Sequence, residues 1–526
     1  MTRSSLRGRR RHAKSHIAVR VAHALLGCAA GGLWLVLPGT TIKDGDPVPV
    51  TGAAAAPEQG GASAADLVLP VAVVVLALVL AGYGYVRRTR RARGRTTPGG
   101  VSAPAPGPLA HDFERRARDS LVAADDSVRT SREELGFTQA RFGAAAVEPF
   151  ARALREARSE LTAAFAIRRR YEQGVPEDEA ARRQALAGIV GRCVEAGERL
   201  DAAAPEFDRL RALETGAGEA LEIAEGRFRE LAGRTADIGA LPGELGERYA
   251  PSAAAPVTGY VEQAKDRLVF ATTHLNFARQ AADAGDGGRT ARELRAAEGA
   301  VAQAEVLVSG VERLAGELRE AAGLVPTVLT GGEAEIAEAR KQLGNRAGPV
   351  PEGELRARAV RADAALAAVR VEVTRGPYDP LDALRRITRT VGPLGTGRAG
   401  AVSLAARLTA RSAVAAAEDY VTTHRAAVGA EARTRLAEAE RLLAERGGGR
   451  EEVTRLVTAD ALAHEARSLA ERDVRAYGNP YGGADEHASG LSGAVLGGVL
   501  LNEEPDAGPP ASFGGPGTRG RRFLPG

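Results

Sequence analysis

Aromatic and sulfur-containing residues are scarce in this 526-residue chain: aromatics make up 4%, with two cysteines, one methionine and one tryptophan. A β-sandwich or β-barrel core needs far more aromatic and β-branched side chains, so the composition excludes both folds. The two cysteines, Cys28 and Cys193, give neither a disulfide framework nor the ligand spacing of a zinc site. We therefore expect a protein built mainly of α-helices.

The sequence also lacks the patterns that accompany common catalytic sites. It has no P-loop and no HExxH motif, and the glycine-rich residues 394–400 follow no predicted strand. His12 and His16 are spaced to share one helix face, but arginines surround them and no third ligand is near. We expect no enzyme activity, no catalytic, cofactor-binding or metal-binding residues, no cofactor and no small-molecule substrate.

Acidic residues are absent from two short basic segments, residues 1–16 and residues 87–95, which carry six Lys or Arg side chains each. The chain has a formal net charge of +4, but residues 96–526 taken alone carry −6. This long acidic part has no domain-wide basic surface that could follow a phosphate backbone, so we expect no nucleic-acid partner.

Two long apolar stretches lie beside these basic segments. Residues 67–86 contain no charge over 20 residues, which is enough for a helix to cross the hydrocarbon core. Residues 17–37 include Arg20 and His23, and they fit either an uncleaved first span or a cleaved signal peptide. By the positive-inside rule, both alternatives place residues 87–526 in the cytoplasm and the protein in the cell membrane, with the lipid bilayer as a partner.

The long remainder of the chain shows helical periodicity interrupted by glycine and proline. Two apolar seams recur at three- and four-residue spacing, which is typical of helical hairpins and coiled-coil-like bundles. Glycine and proline clusters are predicted to end helices, among them Pro205, Gly323–Pro326 and Gly331-Gly332. The seams consist of Ala304, Val308, Val311, Ala315 and Leu318, and of Leu186, Ile189, Val190, Cys193 and Leu200.

A few polar residues in this remainder invite a structural or a functional interpretation. Cys193 lies on an apolar seam, so we predict a core residue and not a nucleophile. Asp379 precedes Pro380 and is predicted to cap a helix, in a turn that could also contact a partner. The histidines of the body are predicted to be surface or boundary residues: His111, His274, His424, His464 and His487.

Together these patterns predict an all-α protein with N-terminal transmembrane segments, antiparallel helical hairpins or coiled-coil-like bundles, and a disordered C-terminal tail. The tail is predicted from its density of glycine and proline. The predicted regions are a basic N-terminus with the first apolar segment (1–38), an extracytoplasmic loop (39–65), a transmembrane helix (66–86), a basic stop-transfer and Pro/Gly linker (87–108), a helical region (109–477) and the tail (478–526).

Residues 375–387, residues 275–318 and the glycine-rich tail resemble bacterial membrane proteins of the TPM-domain family. The resemblance covers residues 1–38 and 66–526, and it implies a helical cytoplasmic region behind a membrane span. The TPM domain of that family would lie between the first apolar segment and the span, where this chain has only residues 39–65. No activity that the TPM domain confers can therefore be assigned to a residue of this chain.

The function predicted from these features is that of a membrane-anchored helical scaffold, which binds a protein partner or associates with itself through its helices. Two alternatives stay open. One is a degenerate phosphatase-like protein of the TPM family, which only the resemblance supports. The other is a transmembrane signalling protein, in which residues 39–65 would sense and the helices would relay.

Overall fold

The computed structural model describes residues 110–345, 351–394, 400–478 and 512–518, and within these ranges it contains helices and no strand. Short 3₁₀ turns follow α5 (Ala255–Val257) and α9 (Gly392–Leu394). The α-helices are α1 Ala110–Gln173, α2 Glu179–Arg211, α3 Ala217–Asp237, α4 Leu241–Arg248, α5 Pro251–Ala254, α6 Tyr260–Asp283, α7 Gly287–Asn345, α8 Glu352–Arg375, α9 Pro380–Val391, α10 Gly400–Thr423, α11 Ala430–Ala444 and α12 Gly449–Gly478.

Helix α1 is two helical arms joined by a reversal at Gly143, whose φ of 78° and ψ of 167° lie outside the helical region. Glycine adopts this positive φ without the steric penalty that a Cβ would bring. The arms lie side by side in opposite directions, because Arg168 near one end is 3.7 Å from Glu114 near the other. With α2 they share one apolar core, and we call this unit the first bundle.

Helices α3 and α6 pack against the first part of α7. Arg234 of α3 donates to Glu312 of α7 at 2.7 Å, and His274 of α6 lies 2.7 Å from Glu293 of α7. All five residues of the seam predicted between Ala304 and Leu318 are buried here, so that prediction is confirmed. The seam in α2 is confirmed at four of its five positions, since Val190 is only partly buried.

Three of the predicted helix ends are wrong. Pro205 lies inside α2, and α7 continues through Gly323–Pro326 and Gly331-Gly332. A proline inside a helix costs about 3 kcal/mol because it removes one hydrogen bond and crowds the preceding turn. Near each proline some side chains are fully buried, among them Phe207 near Pro205 and Val325 beside Pro326. Tertiary packing of this kind outweighs the local preference.

The last three helices, α10, α11 and α12, form another apolar core, whose members include Val421, Leu436 and Ala466. Helix α10 also packs against α7, and α11 packs against α1. The last helices are therefore joined both to the middle of the chain and to the first bundle. These contacts bring α10 and α11 close to residues 125–133 of α1.

The predicted fold class needs correction in its membrane part. Among the helices of the described ranges, none combines the length and the apolar character needed to cross a bilayer. Each long helix carries charged residues around an apolar stripe, as expected for packing against other helices. The transmembrane segments of the predicted fold class are therefore not supported. Residues 17–37 and 67–86 lie outside the described residues, and the cellular location inferred from them stays a prediction.

The predicted disordered tail is wrong for Ser512–Thr518. This segment, which we call the C-terminal segment, is packed against the first bundle, and Phe513 within it is fully buried. Glycine and proline density indicates little capacity to form a core alone, but it does not exclude docking onto a core formed elsewhere. The remainder of the predicted tail lies outside the described residues.

Candidate functional site

A gap between α1 and α2 receives the side chain of Phe513. Its ring stacks on Phe207 of α2, with centroids 4.3 Å apart and an interplanar angle of 20°. Phe150 of α1 meets it edge-on at 6.1 Å and also meets Phe207 edge-on at 5.2 Å. Offset stacking and edge-to-face contact are the favoured geometries for aromatic pairs. The three rings form a closed apolar cluster to which the C-terminal segment contributes one member.

The carboxylate of Asp201 on α2 makes polar contacts to the C-terminal segment. It accepts hydrogen bonds from the backbone N–H groups of Gly515 at 2.9 Å, Gly517 at 3.0 Å and Thr518 at 2.7 Å. The Thr518 hydroxyl also donates to it. A charged acceptor surrounded by neutral backbone donors makes stronger hydrogen bonds than a neutral pair does. Asp201 therefore holds the backbone of the segment, while the buried ring of Phe513 sets which residue of the segment lies between α1 and α2.

Two glycines of the segment are required by its geometry. Gly514 has a φ of 138°, which a residue with a Cβ rarely adopts, and its N–H donates to the Ser131 hydroxyl at 3.1 Å. A Cβ on Gly515 would overlap the backbone of Gly197 on α2. Gly197 must itself lack a side chain, because a Cβ there would lie 2.9 Å from Pro516. The backbone of the C-terminal segment therefore lies directly against the backbone of α2 at Gly515 and Gly197.

We call the surface formed by Ser131, Phe150, Gly197, Asp201 and Phe207 the docking groove. In the structure it contacts two features together, an aromatic side chain and a glycine-rich backbone that presents several N–H donors to one side. The sequence-based prediction missed this site entirely. The signal that could have revealed it is the lone Phe513 in the otherwise small residues 511–518, because an isolated aromatic often marks an anchor.

A second polar site joins the first bundle to the last helices. Arg433 of α11 is 1% exposed and donates to Asp125 at 2.6 Å and Asp126 at 2.7 Å. Arg129 of α1 donates to Asp125 at 2.9 Å and to Glu418 of α10 at 2.7 Å. Burial alone would raise the pKa of Asp125, but Arg129 and Arg433 hold that pKa below its ordinary value. We call these five residues the arginine junction.

His424 lies just after α10 and is 2% exposed, so its prediction as a surface or boundary residue is wrong. Its ring stacks on Tyr420 at 4.3 Å. Burial is the main cause that lowers the pKa of His424 to about 4; the Tyr420 carbonyl opposes the shift, and the charges of Arg267 and Arg467 add to it. The imidazole is therefore neutral at pH 7 and acts as part of the core.

The other candidates from the sequence have structural positions. Cys193 is 4% exposed in the core of the first bundle, as predicted, and burial raises the pKa of its thiol to about 12. Asp379 caps α9 as predicted, accepting from the Asp382 N–H at 3.0 Å, and it also accepts from the Ser252 hydroxyl. His12 and His16 lie outside the described residues, as do the side chains of His111 and His487.

A cavity of about 260 Å³ lies between α5, α9, α10 and α12. Its apolar lining consists mainly of alanine, and its charged residues have both signs, Arg385 and Arg467 against Asp379 and Glu471. This balance favours neither an anionic nor a cationic ligand. Within the described ranges, no three His, Cys, Asp or Glu side chains are grouped closely enough to hold a metal ion.

Within the described ranges, fold and site together define a helical protein in which successive helices share apolar cores and a glycine-rich segment docks onto the first bundle. The chain is 31% identical over 443 residues to UPF0603 protein MT2410 of Mycobacterium tuberculosis strain CDC 1551 / Oshkosh. The same figures hold for UPF0603 protein Rv2345 of Mycobacterium tuberculosis strain ATCC 25618 / H37Rv. Each alignment covers 80% of this chain and 66% of the relative, so the chain spans about two thirds of the length of these proteins.

The names of these relatives specify no activity, substrate or partner. No protein-family profile matches the chain, and no solved structure is significantly similar to it. The matches do not bear on the TPM-domain resemblance, which stays a prediction.

Proposed function

We propose that this protein is a non-enzymatic helical interaction protein, whose docking groove binds a Phe-Gly-Gly-Pro-Gly-Thr peptide. The observation that carries the proposal is the convergence of three backbone N–H groups on Asp201, beside the fully buried ring of Phe513. The C-terminal segment is the occupant of the groove in the structure. A scaffold role follows from this, because a groove that holds a short peptide can join chains or regions of a chain.

The energetics favour an exchangeable contact over a permanent part of the core. Burying Phe513 contributes roughly 1.5–3 kcal/mol, and each hydrogen bond to the charged Asp201 contributes roughly 1.5–3 kcal/mol. Ordering the backbone of Ser512–Thr518 costs about 1–2 kcal/mol for each residue. Gain and cost are of similar size, so the segment should dock and release without unfolding the first bundle.

Binding of a synthetic peptide tests the proposal directly. A fluorescent peptide with the sequence of residues 511–518 is titrated with the full chain carrying Phe513→Ala, which leaves the groove free of its own segment. We expect saturable binding by fluorescence anisotropy, with a Kd on the order of 10–1000 µM. An anisotropy that stays at the value of the free peptide up to about 1 mM chain would contradict the proposal.

Two matched variants show whether the binding uses the groove. Asp201→Asn, added to the Phe513→Ala chain, should weaken peptide binding at least tenfold, because the charged acceptor is lost. Glu198→Gln makes the same change in charge at an exposed position of α2 and should leave binding unchanged. A peptide in which alanine replaces the phenylalanine should also bind at least tenfold more weakly.

The non-enzymatic part of the proposal has its own test. The competing prediction is a degenerate phosphatase of the TPM family, and no feature of the described residues favours it. The full chain is assayed with a generic phosphomonoester, with and without added divalent metal. We expect no turnover above the buffer rate, and metal-dependent turnover would overturn this part. The signalling alternative rests on residues 39–65, which lie outside the described residues, and it stays a prediction.

A further inference from the structure

We propose that the docking groove of one copy binds the C-terminal segment of a second copy, so that the protein joins to itself by segment exchange. This inference rests on the proposed function and names the partner of the groove. It commits to one occupant, the Ser512–Thr518 sequence of another chain.

The contacts of the segment do not depend on which copy supplies it. Its hydrogen bonds reach Ser131 and Asp201, and its ring contacts reach Phe150 and Phe207. These four partners all lie on α1 and α2, near the start of the described chain. The helix that precedes the segment, α12, ends at Gly478, and residues 479–511 separate the two. Moving the segment to the groove of another copy preserves every one of these contacts, and such exchange is a low-cost route to self-association.

The groove is also selective enough to prefer this occupant. A partner peptide needs an aromatic residue for the Phe150–Phe207 gap, then a residue that tolerates the φ of 138° found at Gly514. The next position must lack a Cβ, because the backbone of Gly197 leaves no room. Phe513-Gly514-Gly515 meets these three demands and occupies the groove in the structure. Tyr481-Gly482-Gly483, outside the described residues, has the same order of residue types, and every copy carries both. A second copy therefore always supplies a segment, Ser512–Thr518, that fits the groove.

Concentration decides between internal docking and exchange. A segment tethered to its own groove has an effective concentration that depends on the length of the connecting chain, residues 479–511. Exchange competes once the local concentration of chains approaches that value, as it would in any assembly that gathers many copies. Because groove and segment are separate features, exchange can close a reciprocal dimer or extend head to tail.

A pair of complementary variants separates exchange from internal docking. The groove variant carries Gly197→Ala and Asp201→Asn with an intact segment, and the segment variant carries Phe513→Ala with an intact groove. Neither can exchange with itself, but a mixture has one working groove and one working segment. Full chains are studied by sedimentation velocity with one variant fluorescently labelled, after circular dichroism and thermal melting show that both are folded.

We expect each variant to sediment as a monomer when alone. In the mixture, the labelled species should shift to a one-to-one heterodimer, whose share rises at least twofold between about 10 and 500 µM. The peptide of residues 511–518 should reverse the shift. A monomeric mixture at 500 µM, with the peptide still bound by the segment variant, would overturn exchange and leave the proposed function standing.

Two further results would also be decisive. If the peptide fails to bind the segment variant, the proposed function itself has failed, and exchange with it. If each variant alone associates as strongly as the mixture does, a different surface joins the copies and exchange is overturned.

Discussion

Two carboxylates of the first bundle, Asp201 and Asp125, are held in contrasting ways. Asp201 accepts from neutral backbone N–H groups of a short segment, whereas Asp125 is paired with the guanidinium groups of Arg129 and Arg433. If the segment leaves, water can solvate Asp201, which is only partly buried. If the Arg433 side chain is removed, Asp125 and Asp126 keep their charges while losing a buried partner. The first arrangement suits a contact that opens, and the second suits a permanent joint.

The largest effect is expected at the arginine junction. Arg433→Met removes a buried guanidinium that donates to both Asp125 and Asp126. Breaking a buried ion pair from one side costs about 3–5 kcal/mol, because the remaining charge is left uncompensated. We expect urea unfolding to show a loss of that size in the free energy of unfolding. Arg192→Met, at an exposed position of α2, is the control and should change it by less than about 1 kcal/mol. Equal losses in the two variants would contradict the contrast.

A pH effect of about 3 kcal/mol is expected from His424. Its pKa is about 4 in the folded protein and near 6.5 when unfolded, so the unfolded chain binds the extra proton between these values. Above pH 6.5 His424 is neutral in both states and does not affect the pH dependence of stability. As the pH falls towards 4, proton binding to the unfolded chain lowers the free energy of unfolding. His424→Phe keeps the stacking on Tyr420 but cannot titrate. The variant should therefore gain stability relative to the natural protein as the pH falls from 7 to 4.

Asp419 works in the opposite sense and must be separated from His424. Burial raises the pKa of Asp419 to about 6, although the charge of Arg313 opposes this shift. The folded state therefore binds the extra proton between about pH 4 and 6, and Asp419 adds stability as the pH falls. Taking the difference between natural protein and His424→Phe at each pH cancels this contribution. If that difference stays constant from pH 7 to 4, the buried neutral state of His424 is refuted.

A smaller effect is expected at the docking groove. Asp201→Asn should lower the free energy of unfolding by no more than about 2 kcal/mol, because releasing the segment caps the loss at the docking energy. Asp125→Asn, the same change in the arginine junction, should cost more, since Arg129 and Arg433 then lose a shared partner. Urea unfolding of the two variants side by side makes the comparison. A larger loss for Asp201→Asn would reverse the roles assigned to the two carboxylates.

The smallest effect is expected at an exposed ion pair. Glu179 and Arg183 lie four residues apart at the start of α2, and both side chains are more than 60% exposed. Pairs of this kind contribute about 0.3–0.5 kcal/mol. Glu179→Ala should therefore change the free energy of unfolding by less than about 0.5 kcal/mol, and peptide binding to the groove should not change. A loss above about 1 kcal/mol would contradict the small contribution expected of exposed ion pairs.

Much of the helical architecture follows from periodicity in the sequence. The seams around Val308 and Cys193 predict which faces are buried, because apolar spacing of three and four residues selects one side of a helix. Asp379 before Pro380 predicts the start of α9, since a carboxylate there accepts an N–H of the first turn. These signals are local, and each needs only a few neighbouring residues.

Features that depend on contacts between distant residues have no local signal in the sequence. Helix α7 passes through Pro326 because buried neighbours such as Val325 and Val328 supply the packing that offsets the lost hydrogen bond. The reversal at Gly143 has no accompanying proline or second glycine to mark it. The docking of Phe513 joins the end of the described chain to its beginning, and no pattern within residues 511–518 names the groove that receives it.

Hydrogen exchange of the full chain, followed by mass spectrometry, tests the central claim most directly. In the natural protein, the amides of Gly515, Gly517 and Thr518 should exchange more slowly than in an unstructured peptide, because they donate to Asp201. In Phe513→Ala they should exchange at the unstructured rate, while peptides from α1 and α2 keep their protection. Fast exchange of these amides in the natural protein would contradict docking, and loss of protection throughout the first bundle in Phe513→Ala would contradict a detachable segment.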